Sequence, residues 1–161
     1  MKKLLFQSLL FVLAVSIQVS SIFAQSSEIV GSWKNGSVGT IQYQNSATGA
    51  TKPGRGSVFS YKFLANGNYE FAGYMETTMY NCTTSLFNEI KGKYAVEGST
   101  ITLNPARDFW KSTNSCFASG NKEQLKTPQK SVYEIEFKKD DYENRLLCLT
   151  NEKGESCFKR E

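Results

Sequence analysis

The chain contains no histidine, only three prolines and no Cys-x-x-Cys pair. Without histidine there is no Ser-His-Asp or Cys-His nucleophile and no imidazole ligand for a metal. Without a close cysteine pair the usual zinc cluster spacing is missing as well, and no metal or cofactor is expected. Gly54-Arg55-Gly56-Ser57 lacks the Walker spacing and its Lys-Ser/Thr, so it is read as a flexible turn and not a phosphate loop. A strong excess of one charge is also lacking. The formal charge is +4, and Lys2 and Lys3 account for half of it. What remains is too small and too scattered to grip nucleic acid or an anionic membrane, and no basic stripe accompanies the aromatics. Beyond the first 24 residues no apolar run is long enough to cross a bilayer.

Those first residues have the form of a secretory leader. Lys2 and Lys3 precede an apolar stretch from Leu4 to Val19, broken by Gln7 and Gln18, and Ser20, Ser21 and Ala24 supply small residues for cleavage. Residues 1–24 are therefore expected to be a signal peptide, cut after Ala24 or two residues later. The expected mature segment, 25–161, is enough for one domain with a real core. It would be secreted or periplasmic, with no cysteine near the cut to carry a lipid and no stable insertion in the membrane.

Four cysteines are present, Cys82, Cys116, Cys148 and Cys157. In an exported chain an even number reads as disulfides, with three possible connectivities. A four-residue hairpin loop at Asn151-Glu152-Lys153-Gly154 would set Thr150 opposite Glu155 and Cys148 opposite Cys157. Cys82 would then pair with Cys116, and no thiolate would remain as a nucleophile.

The chain is organised around Ser57 to Tyr80. Phe59, Tyr61 and Phe63 alternate on one side of the first half, and Tyr69, Phe71, Gly73 and Met75 on one side of the second. Asn66-Gly67 between them predicts a type I′ turn, which needs positive φ at both residues. A hairpin this aromatic needs neighbouring strands to cover it. Before it, Glu28 to Lys34 predicts a short opening strand, Asn35-Gly36 a turn, and Val38, Ile41 and Tyr43 a second strand. Asn45 to Gly56 predicts a loop. After it, Thr83 to Ile90 shows no clear period and is expected to be a helical turn or a connection.

Gly92, Tyr94 and Val96 alternate, then Glu97-Gly98 turns the chain into Ser99–Leu103, a second hairpin. Asn104 to Pro128 predicts an excursion tied down by Cys116, with a helical turn near Lys122 to Leu125. Tyr133, Ile135 and Phe137 alternate against Val132, Glu134 and Glu136. Lys138 to Asn144 predicts a charged turn, and Arg145–Thr150 with Glu155–Arg160 a third hairpin. The fold class expected is all-β: a single antiparallel up-and-down barrel of about eight strands, its interior filled by side chains or by a ligand.

Gly31-Ser32-Trp33 resembles the Gly-x-Trp signature of lipocalin and other calycin barrels. Tyr61-Lys-Phe63-x-x-Asn66-Gly67-x-Tyr69, Gly92-x-Tyr94 and Ile101-Thr-Leu103 are similar in pattern to small exported bacterial lipocalin-like proteins. Asp141-Tyr142 resembles the second lipocalin motif, and Arg160 the arginine that packs on the tryptophan. The resemblance implies a barrel closed at one end that often holds a small apolar ligand, with Gly31, Trp33 and Arg160 as structural residues.

The function expected is binding of a small apolar or amphipathic molecule. Tyr61, Phe63, Tyr69 and Phe71 would face inward, and Trp110 would sit at the rim. Such rings more often form plain core, since small barrels are often filled by their own side chains. The alternative is a solid-core protein-interaction or inhibitor module of the cell envelope or extracellular space. An enzyme ranks third, since only carboxylates could do acid–base work. Of these, Asp140, Asp141 and Glu143 read as a solvated turn beside Lys138 and Lys139, and Glu134 and Glu136 as the outer face of a strand.

Overall fold

The central hairpin forms with its aromatic alternation intact. In the computed structural model, which describes residues 27–38, 43–44, 51–52 and 56–161, strands β4 (Gly56–Phe63) and β5 (Asn68–Met79) pair from Phe63–Tyr69 to Gly56–Glu76. The turn between them differs from the expected type. Gly67 has φ +78° while Asn66 is not in the left-handed region, and the Gly67 N–H donates to the Leu64 carbonyl at 3.0 Å. That is a four-residue turn closed by a left-handed glycine, the three-residue hairpin form, rather than type I′. The type I′ conformation lies instead at Tyr80-Asn81, with φ +49° and +63°, joining β5 to β6 (Cys82–Glu97).

Strand β1 (Gly31–Val38) runs straight through Asn35-Gly36, where a turn was predicted. Gly36 takes φ +79°, and a Cβ there would fall 2.2 Å from the Ser57 carbonyl oxygen, so the glycine serves a close strand approach inside a ladder. Beyond it, β2 (Tyr43–Gln44) and β3 (Thr51–Lys52) form a two-stranded ribbon. Ile41, the rest of the Asn45–Gly56 loop up to Arg55, and the leader 1–24 lie outside the described residues.

Thr83 to Ile90 is not a helical connection but the first half of β6, which pairs along its length with β7 (Thr100–Asn114). Every residue from Cys82 to Ile90 is half-buried on both faces, so there is no inside–outside alternation to read. Most of the expected excursion is likewise strand. A non-strand stretch over 115–121, containing the short 3-10 turn Ala118–Gly120, separates β7 from Lys122–Leu125, which is strand β8, paired to the outer part of β7, not a helical turn. The β6–β7 register slips at Lys91/Gly92, where a Cβ on Gly92 would meet the Asn104 carbonyl oxygen at 2.2 Å. Strands β9 (Ser131–Lys139), β10 (Arg145–Asn151) and β11 (Gly154–Arg160) complete the chain.

Eight strands close into one antiparallel ring in the order β6-β5-β4-β1-β11-β10-β9-β7 and back to β6. The ring is barrel-like, and almost everything else is turn. Cys148 faces Cys157 across β10–β11, and Thr150 faces Glu155, as the loop length predicts. Both cysteine pairs, Cys148–Cys157 and Cys82–Cys116, stand at disulfide-bonding distance. The lower half of the ring is solid: Trp33, Phe63, Ile101 and Leu147 are at most 1% exposed. The outer parts of β6 and β7, with the last three residues of β5, project past the ring as an arm, since β4 leaves β5 at Glu76 and β9 leaves β7 at Leu103.

Candidate functional site

Two ends of the ring are built differently. At the lower end Trp33 donates its indole N–H to the Ile29 carbonyl at 2.7 Å, which satisfies the one polar atom of a fully buried side chain. The Arg160 guanidinium carbon lies 5.4 Å over the Trp33 ring, and its Nη2 donates to the Val30 carbonyl at 3.2 Å. An added Cβ on Gly31 would stand 3.4 Å from that same Nη2, so Gly31, Trp33 and Arg160 meet at one plug.

The upper end is a cup of about 390 Å³, partly open. Its wall is made by Phe59 and Tyr61 of β4, Phe71 of β5, Tyr133 of β9, Leu149 of β10 and Phe158 of β11. All six point inward because inward residues alternate along each strand and the ring brings those faces together. Tyr61 is the hub. Its ring is 4.8 Å from Phe71, 5.1 Å edge-on from Phe158 and 5.5 Å stacked on Phe63 beneath. Gly73 has no side chain to fill the space beside Phe59, where a Cβ would lie 3.1 Å from the ring. Asn35, Asn151, Lys153, Glu155 and Ser156 supply a polar rim. A second hollow of about 420 Å³ adjoins it around the β10–β11 turn, sharing Tyr133, Asn151 and Lys153.

The hydroxyls inside the wall are electrically uniform. Burial, with the neighbouring Tyr133 and Tyr69 phenols, drives the Tyr61 pKa far above the ordinary tyrosine value. Tyr69 is pushed up to about 12 by burial, then by Tyr133 and the Asp108 carboxylate. Tyr61 and Tyr69 therefore stay neutral over the physiological range and act as hydrogen-bonding groups. Asp108 is held from β7 by the Asn88 amide, which donates to it at 2.7 Å. At the rim Glu155 accepts from Lys138 at 2.7 Å, which holds its carboxyl below the usual range.

The five expected ligand contacts divide. Tyr61 and Phe71 line the cup, whereas Phe63 and Tyr69, 1% and 3% exposed, belong to the packed half below it. Trp110 is not in the wall; it sits on the arm with the Lys126 ammonium 5.0 Å over its ring. Tyr133, Leu149, Phe158 and Asn35 were not singled out from the sequence. The alternation of Tyr133 with Ile135 and Phe137 marks an inward face, but nothing local says which strand lies opposite.

The acidic residues do other work. Asp140 accepts from the backbone N–H of Tyr142 and Asn144 at 2.9 and 2.8 Å and shapes the β9–β10 turn, while Glu143 pairs with Lys139. Glu134 accepts from Ser99 and Thr100, and Glu136 pairs with Lys138 at 3.2 Å. Among the described residues, Cys148, Glu155 and Cys157 come close enough together to suggest a metal, but the two sulfurs are bonded to each other and offer no thiolate. No helix among the described residues is long and apolar enough to cross a membrane.

Fold and site together define a ring-closed antiparallel sheet, plugged at one end and cupped at the other. Compared with known proteins, the chain matches no family model, no curated protein sequence and no solved structure.

Proposed function

We propose that this chain is an exported, lipocalin-like binding barrel whose cup takes a small amphipathic molecule. One observation carries the reading: a pocket of about 390 Å³ walled by six apolar or aromatic side chains and rimmed by polar ones. That volume falls in the usual range for small-molecule sites, which pair apolar walls with a few polar groups. An apolar body would rest on Phe59, Phe71 and Phe158, and the Tyr61 and Tyr133 hydroxyls would orient a hydrogen-bonding group. The leader-like 1–24 segment and the two cysteine pairs fit an oxidising, secreted or periplasmic setting. The Gly31–Trp33–Arg160 plug fits the lipocalin resemblance.

The role is binding rather than turnover. Glu155 is the one carboxylate among the described lining residues, and it is paired with Lys138, so no acid–base pair converges in the cup. Neither nucleic acid nor a resident cofactor enters the proposal. The solid lower half of the ring favours the second reading, a protein-interaction or inhibitor module that uses its loops.

N-phenyl-1-naphthylamine fluorescence tests the choice. The folded mature protein is expected to bind the probe, and Phe71→Ala to weaken binding about tenfold by removing one wall. A folded protein that leaves the probe dark, or an unchanged affinity in the variant, rejects the ligand cup in favour of the interaction module.

A further inference from the structure

The arm ends in a surface that the cup does not explain. At its tip Met79 is 62% exposed, Tyr80 95% and Phe117 69%. Cys82–Cys116 ties the β5–β6 turn to the segment carrying Phe117, so the three apolar side chains are presented together. Charged residues make up 21% of the chain, yet neither 77–88 nor 112–121 contains one. Glu76, Lys111 and Lys122 mark where charge resumes. From Met79 at the tip back to Glu76, opposite Ser85, is on the order of 10 Å at the rise of a strand.

Many polar groups of this tip pair with one another. Thr78 and Thr83 share a hydroxyl hydrogen bond at 2.9 Å, as do Ser85 and Thr113 at 2.6 Å, and Asn114 Nδ2 donates to the Thr84 hydroxyl at 2.9 Å. Asn114 Oδ1 accepts the backbone N–H of Cys116 and Phe117, and Ser115 and Thr83 bond each other twice. Tyr80 holds φ +49°, a region where glycine or asparagine would sit without strain and a bulky side chain is an outlier. A tip adapted to water has no need to keep charge out, pair its polar groups internally and hold a tyrosine in a strained turn at full exposure. A tip adapted to a low-dielectric surface needs the first two, because unpaired polar groups and charges are costly there.

We propose that this tip is a membrane-interface finger, with Met79, Tyr80 and Phe117 seated reversibly among the headgroups and upper acyl chains of a lipid bilayer. Peripheral apolar elements enter about 5–10 Å into that boundary, a depth that the charge-free end of the arm matches. Tyrosine and other aromatics are favoured at that depth. The contact needs neither a spanning segment nor a basic patch, and it is independent of the ligand cup.

The test is flotation of the oxidised mature protein with phosphatidylcholine vesicles. The expected result is co-flotation that neither salt nor added phosphatidylserine changes, since no charge at the tip contributes. Tyr80→Asn combined with Phe117→Ser is expected to weaken partitioning at least about tenfold, as two large apolar side chains are lost. Tyr80→Asn alone should raise the melting temperature while weakening vesicle binding, which separates loss of contact from loss of fold. Probe binding in the cup should persist in both variants. The proposal is overturned if the wild-type protein stays in the soluble fraction at millimolar lipid, or if the double variant floats as well. It is also overturned if flotation requires phosphatidylserine and disappears with salt, or if sedimentation shows a tip-dependent dimer without vesicle binding.

Discussion

Tyr69 shows how one side chain ties core to pH response. Its phenol belongs to the packed half of the ring, and burial followed by Tyr133 and Asp108 lifts its pKa from 10.0 to about 12. In the unfolded chain the phenol ionises near 10, so between about 10 and 12 the folded state binds more protons than the unfolded one. Stability supplied by this group is therefore complete below pH 10 and falls as pH rises through the folded value. Urea midpoints measured from pH 8 to pH 11.5 should decline above 10, and Tyr69→Phe should flatten that decline. An equally steep decline in the variant would assign it to other groups. Arg160 illustrates the opposite use of a polar side chain: its charge stays at the surface while its plane covers Trp33, so its contribution is packing as much as electrostatics.

At the level of elements, the long β6–β7 ladder depends on Gly92. The strand slips by one residue there, opposite Pro105, which has no N–H to give to a ladder. Because the Asn104 carbonyl oxygen occupies the place a Cβ would take, Gly92→Ala is expected to cost about 2 kcal/mol or more through backbone displacement. A chemical denaturation curve would measure it, and a variant as stable as the parent would mean that the bulge is softer than its geometry. The bulge also divides the element in two. Below it Tyr94, Val96, Ile101 and Leu103 face the core; above it Ile90 still packs on the core before the same strands run out into the arm.

For the whole molecule, the weak place is the seam between β1 and β11. Among the described residues these strands pair at Trp33–Arg160 and Lys34–Lys159, after which β1 continues along β4 alone. Asn35 then bridges the gap, its Nδ2 donating to the Cys157 carbonyl at 2.6 Å, directly beside the cup. Local opening should begin where ladder bonds are fewest. Native-state amide exchange is expected to be faster along the β11 edge facing β1 than along β5–β6, and Asn35→Ala should speed it further at a cost of about 1 kcal/mol. Uniform protection around the ring would contradict this ordering. An opening there would widen the mouth of the cup without disturbing the Trp33 plug.

Much of this architecture is written locally. Alternating aromatics in β4 and β5, the Glu97-Gly98 turn and the spacing of Cys148 from Cys157 specify strands, a hairpin and a disulfide, because each depends on neighbours a few residues apart. The same local evidence fails over Thr83–Ile90 and Lys122–Leu125, where the arm has no buried face to impose a period, and at Asn35-Gly36, where a close strand approach uses the residues of a turn. Which inward rings meet is not a local property. Tyr61 and Phe71 reach the cup while Phe63 and Tyr69 fall below it, although all four obey one alternation, because ring closure sets the height at which each strand meets its partners. Sequence by itself determined the strands that carry an alternating apolar face; the closed tertiary ring decided the remaining strands and where packing stops and an open pocket begins.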